Sequence, residues 1–258
     1  MKTLAIIPAR YASTRFPGKP LAVLGNKPVI QHVWERVLSS SSITDAVIAT
    51  DDLRIAEATE RFGGRAMLTS SHHRSGTDRC GEVVQNLEEA GKRYDTVINI
   101  QGDEPFIHPR QIDLLAGCFE NETTTIATLR KAIEDPEILF NPNNVKVVTD
   151  GKGYALYFSR EPIPHLRGTE RQEWTARHAY YKHIGIYAFR TEVLKSIIKM
   201  PPSTLEQCES LEQLRWLENG HKIMVPETDI ESIGIDTPED LQRAEQFMLS
   251  EKTSQKQL

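Results

Sequence analysis

The chain has 258 residues and a formal net charge of −5, with 39% hydrophobic and 26% charged residues. That is the composition of an ordinary globular enzyme. Its mild acidity excludes bulk nucleic-acid affinity, and no apolar run approaches the roughly 18 residues of a membrane span. Cys80, Cys118 and Cys208 are widely spaced and form neither a disulfide framework nor a C-x-x-C pattern, so reduced, buried or half-buried thiols are expected. Residues 1–9 contain Pro8 and no cleavage-site pattern, so no signal peptide is expected and the cytoplasm is the default compartment.

Leu4-Ala5-Ile6-Ile7 reads as a first buried strand. It runs into PARYASTRFPGKP, which gathers Arg10, Arg15 and Lys19 in a chain that is acidic overall. A helix follows Pro28, whose missing N–H is tolerated at a helix start, with Val29, Ile30, Val33, Trp34, Val37 and Leu38 at helical spacing. Ala46–Thr50 is a second strand. The helix from Leu53 to Phe62 stops at Gly63-Gly64. Ala66–Leu68 is a short strand, Asp78–Ala90 a helix ended by Gly91, and Thr96–Ile100 a strand that ends in QGDEP. A helix over Pro109–Phe119 precedes a strand at Thr125–Leu129. Repeated strand–helix order with continuously apolar strands predicts an α/β fold with a mostly parallel sheet and helices on both faces.

The rhythm then changes. Val145–Thr149 and Tyr154–Ser159 flank Asp150-Gly151, a hairpin signal. Arg167–Arg177 reads as a mobile polar loop, and Ile184–Phe189 as a strand returning to the core. Helices are expected near 191–199 and 204–219, and a late strand at Ile223–Val225. In the last helix Thr237 is the expected N-cap, Pro238 fits the first turn and Asp240 completes a capping-box-like pair. No repeat or linker is visible. The expected organisation is one domain over 1–250 with an inserted antiparallel arm at about 130–190, then a polar tail at 251–258.

Four segments carry possible chemistry. The loop after the first strand is neither a Walker A loop nor G-x-G-x-x-G. Its three cations and backbone amides nevertheless suit a polyphosphate, the alternative being a solvated loop. Strand ends are where open α/β sheets bind ligands. Asp103 in QGDEP sits at such an end and suits Mg²⁺, which takes few carboxylates together with water and phosphate oxygens. Acids beside a proline are also common in ordinary turns. Asp236 is either a helix-start acid or a second metal ligand. Ser75-Gly76-Thr77-Asp78-Arg79 is a helix start, or a clamp on a base or ribose.

PARYASTR, PGKP, SGTDR, QGDEP, FNPNNVKVV, GYALYFSR, HIGIYAFR, LEQLR and GIDTPEDL occur in this order. Together they resemble the 3-deoxy-manno-octulosonate (Kdo) cytidylyltransferase family over about residues 2–247. The first loop and QGDEP are shared with wider nucleotidyltransferases, whereas GYALYFSR, HIGIY and LEQLR are much more specific. The resemblance implies a Rossmann-like nucleotide-diphospho-sugar transferase fold with an antiparallel dimerisation arm. It also implies a cytoplasmic homodimer that joins CMP from CTP to Kdo with Mg²⁺, for lipopolysaccharide biosynthesis. It assigns Arg10, Ser13, Arg15 and Lys19 to the triphosphate, and Ser75, Thr77, Arg79 and Gln101 to the nucleotide. Asp103 and Asp236 are assigned to magnesium. Gln101 again, with Arg160, His183, Tyr187, Glu212 and Gln213, is assigned to the sugar. Arg10, Lys19, Asp103 and Asp236 are the expected catalytic set. A cytidylyltransferase for another acidic sugar, such as a sialic acid or amino-Kdo, and a nucleotide-binding regulator without turnover remain as alternatives.

Overall fold

The computed structural model describes residues 1–231 and 233–255. The chain forms two compact units, Met1–Asp113 with Ser232–Leu258, and Leu114–Glu231.

The first unit opens with β1 (Thr3–Ala9), whose Leu4, Ala5, Ile6 and Ile7 are fully buried. A small hairpin of β2 (Val23–Leu24) and β3 (Lys27–Pro28) leads into α1 (Val29–Leu38). There follow β4 (Asp45–Thr50), α2 (Leu53–Arg61), β5 (Ala66–Leu68), α3 (Gly76–Glu89) and β6 (Thr96–Asn99). Within this unit the strands run β6-β1-β4-β5, every neighbouring pair parallel, with Ile7 opposite Ile48 and Ile6 opposite Asn99. Burial on both faces explains why the strands are continuously apolar rather than alternating. Each strand therefore delivers its carboxyl end, and the loop that follows, to the same edge of the sheet. α4 (Pro109–Gly117) crosses the boundary between the two units in the chain.

The second unit contains β7 (Ile126–Ile133), α5 (Pro136–Phe140), β8 (Lys146–Thr149), β9 (Ala155–Ser159), α6 (Trp174–Arg177) and β10 (Tyr180–Arg190). It continues with α7 (Thr191–Ile197), α8 (Thr204–Glu209), α9 (Glu212–Glu218) and β11 (Ile223–Met224). β10 is antiparallel to β7 and β8, β8 is antiparallel to β9, and β11 is parallel to β7. The α/β class, the mostly parallel sheet and the antiparallel arm expected from the sequence are all present.

Three local expectations are corrected. Arg167–Arg177 is only partly a loop: Arg171–Glu173 form a 3-10 turn and Trp174–Arg177 form α6, because Trp174 is buried and stacks on Tyr180 with ring centroids 5.9 Å apart. The helix expected over 204–219 is broken at Ser210, whose left-handed φ of 52° ends α8. The chain can then restart as α9 on a new axis. Cys80 is buried and Cys118 half-buried, but Cys208 is exposed.

The final element, α10 (Pro238–Gln255), belongs to the first unit. Ile235 and Ala244 pack with Leu24 and Val29, and Phe247 meets the edge of Phe106 at 4.9 Å. The polar tail expected over 251–258 overlaps the end of this helix, and residues 256–258 lie outside the described residues.

Candidate active site

The first loop of the sequence closes on itself. The Gly18 N–H donates to the Tyr11 carbonyl at 2.9 Å, and Gly18 adopts a left-handed φ of 73°. A side chain there would both strain the backbone and meet the Tyr11 ring at 3.0 Å. This turn starts the 3-10 segment that points Lys19 inward, leaving its side chain only 10% exposed. The Arg54 guanidinium, fixed by Asp52, lies 3.3 Å over the Tyr11 ring and braces the loop from outside.

QGDEP reaches the same place because Gly102 has no side chain: a Cβ there would stand 2.8 Å from the Pro8 carbonyl oxygen. Asp103 follows at once. Asp236 is brought in by the Ile235 N–H, which donates to the Asp103 carbonyl at 2.9 Å, and by the start of α10. There the amides of Asp236 and Thr237 both donate to Asp240 at 2.9 Å, and the Asp240 amide donates back to the Thr237 hydroxyl. The capping pair read from the sequence is thus formed, and it fixes the backbone beside Asp236.

The result is a cleft of roughly 300 Å³, lined among others by Arg10, Ser13, Arg15, Lys19, Ser75, Arg79, Gln101, Asp103 and Asp236. Lys19 Nζ donates to Asp103 at 2.6 Å and to Asp236 at 3.1 Å, and Arg15 pairs with Asp236 at 3.1 Å. Five cationic side chains (Arg10, Arg15, Lys19, Arg74 and Arg79) face two carboxylates, so the cleft is net positive within an acidic protein. Such a cleft attracts a polyanion. The Ser75 hydroxyl caps α3 by accepting from the Asp78 amide at 3.1 Å, so Ser75 and Gly76 present a helix N-terminus to the cleft. That is favourable for phosphate.

Thr77 is buried one residue further on and is not among the lining residues. Arg79 lines the cleft but is largely committed: it donates to Thr69 and pairs with Asp51 at 3.5 Å. His73 and Arg74 also line the cleft and were not singled out in the sequence, although they directly precede SGTDR. His73 is held by Glu82 of α3, which also accepts from the Ser70 amide. The donor set fits a hard divalent cation. Asp103 and Asp236 offer oxygen donors that already converge on one ammonium, and magnesium completes such a pair with water and phosphate oxygens.

The other predicted residues gather in the second unit. HIGIY forms an irregularity of β10: Ile184 pairs with Leu129 and Tyr187 with Thr128, leaving Gly185 and Ile186 extra. The Thr128 hydroxyl lies 2.9 Å from His183 Nε2 and bridges the Ile184 and Ile186 carbonyls. The His183 ring packs against Phe158 and Tyr187, with centroids at 5.1 and 5.3 Å. Burial pushes its pKa down to about 3.

Tyr187 also meets Trp216 of α9 edge-on at 5.1 Å, which joins the strand to the helix bearing Glu212 and Gln213. Burial raises the Tyr187 phenol well above its ordinary value, and the Glu212 carboxylate adds to the shift. Among the described residues Gln213 Nε2 is buried without a hydrogen-bond partner, and the buried Tyr187 hydroxyl faces the Thr128 side chain without a well-formed hydrogen bond. Native structures rarely leave such groups unpaired, and a polar ligand is one explanation. Arg160 spends its guanidinium on the backbone carbonyls of Glu209 (2.7 Å), Pro142 (3.2 Å) and Ser210 (3.3 Å), which ties β9 to the α8–α9 turn.

Comparison with known proteins finds relatives that cover nearly the whole chain. The family described as cytidylyltransferase matches residues 4–223. The 3-deoxy-manno-octulosonate cytidylyltransferase of Parabacteroides distasonis is 54% identical over 96% of this chain and 98% of its own. The protein of the same name from Bacteroides thetaiotaomicron is 55% identical over 96% and 98%. A solved CMP:2-keto-3-deoxy-manno-octonic acid synthetase complexed with CTP superimposes with a TM-score of 0.89 at 42% identity, covering 97% of this chain and 100% of that one. By sequence, by fold and by the cleft at its strand ends, the chain belongs to the family of 3-deoxy-manno-octulosonate cytidylyltransferases.

Proposed function

We propose that this enzyme transfers CMP from CTP to the anomeric hydroxyl of Kdo and releases pyrophosphate, supplying activated sugar for lipopolysaccharide biosynthesis. The observation that carries the reading is the cleft in which Arg10, Arg15 and Lys19 face Asp103 and Asp236. The reaction joins an anionic sugar to an anionic nucleotide, so charge must be offset before the hydroxyl can attack the α-phosphorus. Arg10, Ser13, Arg15 and Lys19 bind the triphosphate and stabilise charge as pyrophosphate leaves. Ser75 and Gly76 add the α3 N-terminus, Arg79 and Gln101 complete the nucleotide side, and Thr77, buried behind them, does not reach the cleft. Magnesium held by Asp103 and Asp236 would supply Lewis-acid charge at the phosphate oxygens.

Arg160, His183, Tyr187, Glu212 and Gln213 form the sugar side. The buried Gln213 Nε2, which lacks a partner among the described residues, favours a polyhydroxylated ligand there. No side chain is assigned as general base; orientation and fixed charge supply the rate. The enzyme acts as a cytoplasmic homodimer in this reading, and among the described residues no helix is long and apolar enough to cross a membrane.

Incubation with CTP, Mg²⁺ and a mixture of acidic sugars, followed by mass detection, tests the proposal. CMP-Kdo is the expected product. A sialic acid or amino-Kdo conjugate in its place would move the enzyme to the alternative substrate. CTP binding without pyrophosphate release would leave only a nucleotide-binding regulator.

A further inference from the structure

Lys146 of β8 is fully buried, yet it has no place in the chemistry described above. A buried ammonium is costly unless it is well hydrogen-bonded, and an apolar side chain of similar size is often as stable or more so. Here the ammonium is well satisfied. Its Nζ donates to the carbonyls of Asn144 at 2.6 Å, Asn141 at 3.2 Å and Arg160. Burial pushes its pKa down, while the carboxylates of Glu161 and Glu209 favour the charged form and Arg160 opposes it.

The Arg160 carbonyl is the useful partner, because Arg160 is itself the hub of a second set of bonds. Its guanidinium grips the carbonyls of Pro142, Glu209 and Ser210, and its amide donates to the Glu209 carboxylate at 2.9 Å. The other Glu209 oxygen accepts from Ser159 at 2.8 Å. Lys146 thus fixes the backbone of Arg160 and of the 141–144 loop. Arg160 then fixes the left-handed turn at Ser210, from which α9 starts with Glu212 and Gln213. Ser210 carries left-handed backbone strain at this turn, and the Arg160 guanidinium bonds to the Glu209 and Ser210 carbonyls add to the turn's own backbone bonds in holding it.

We infer that Lys146 is a positioning residue for acceptor-sugar binding, setting through Arg160 the α8–α9 turn that presents Gln213. This inference rests on the assignment of Gln213 and its neighbours to the sugar. A displacement of about 1 Å at such a group is enough to lower turnover by roughly a hundredfold.

The test uses the full-length enzyme, with kinetics measured at a temperature where each variant is fully folded. Lys146→Met is expected to lower kcat/KM for Kdo by about tenfold or more, with KM for CTP unchanged within about twofold. Hydrogen exchange at Ser210–Gln213 should quicken in the same variant. A lower melting temperature with unaltered Kdo kinetics would make Lys146 merely structural and overturn the inference. If Lys146→Met does not fold, Glu209→Ala removes the carboxylate that accepts from the Arg160 amide and from Ser159 and leaves the lysine in place. Unchanged Kdo kinetics in that variant would likewise overturn the inference. Gln213→Ala serves as the reference: impairment there with a normal Lys146→Met refutes the positioning role alone, whereas a normal Gln213→Ala removes the sugar reading and the inference together.

Discussion

Lys19 stands in the cationic cleft proposed to bind the nucleotide, and its neighbours fix what its removal will do. The ammonium lies between Asp103 and Asp236, with Arg15 reinforcing the second carboxylate. Lys19→Ala therefore removes the charge proposed to bind phosphate and also leaves Asp103 and Asp236 without the ammonium between them. KM for CTP is expected to rise while KM for Kdo stays near wild type; the opposite pattern in steady-state kinetics would show that the loop binds the sugar. Asp103→Asn keeps shape but removes the charge a hard cation needs. Most turnover should be lost across a magnesium titration, with circular dichroism unchanged, and near-normal activity at all magnesium levels would refute the assignment. His183 gives a pH prediction. Its folded pKa is depressed to about 3 by burial, against an ordinary value of 6.5. In acid the unfolded chain takes up the proton first, so stability is full above pH 6.5 and declines as pH falls from 6.5 towards 3. His183→Gln should flatten that part of the profile in urea titrations run at several pH values.

At the scale of elements, the start of α10 links a local signal to the site. Thr237 and Asp240 exchange bonds across the first turn, and the same Asp240 oxygen receives the Asp236 amide. Burial raises the Asp240 pKa, but the amides of Asp236 and Thr237 and the Arg243 guanidinium outweigh it and hold the carboxyl below its ordinary value. Loss of an N-cap typically costs about 1 kcal/mol. Thr237→Ala should lower stability by about that amount in a denaturant titration and should weaken activity through the backbone of Asp236. A stability loss with wholly unaltered kinetics would separate the cap from the site. The α8–α9 break shows the reverse case, in which local signals mislead. The run 204–219 has no glycine or proline, so it reads as one helix. Ser210 nevertheless turns left-handed, because Arg160 draws its carbonyl and that of Glu209 towards β9.

At the scale of the whole molecule, the residues expected to bind the nucleotide lie in the first compact unit, and those expected to bind the sugar, except Gln101, lie in the second. Gln213→Ala and His183→Ala should therefore lower kcat/KM for Kdo by between a few-fold and roughly a hundredfold. Calorimetric CTP affinity should stay largely intact. A collapse of CTP affinity in both, with sugar dependence unaltered, would place these residues at the nucleotide. The alternation of strands and helices, the hairpin at Asp150-Gly151 and the cap of α10 were legible because they depend on neighbours within a few residues. The family was legible because its motifs stand in order along the whole chain. Three things were not: the burial of Lys146, the packing of Trp174 that orders 171–177, and the entry of His73 and Arg74 into the cleft. A lysine in a β-rich run reads as an exposed position, and only the carbonyls of Asn141, Asn144 and Arg160, brought together by β8–β9 pairing and the preceding loop, make an interior charge tolerable there. The sequence by itself determined which elements form and which residue types reach the strand ends. The tertiary structure decided which cation meets which carboxylate, because hydrogen bonds between residues as distant as Lys19 and Asp236 exist only after the chain has closed on itself.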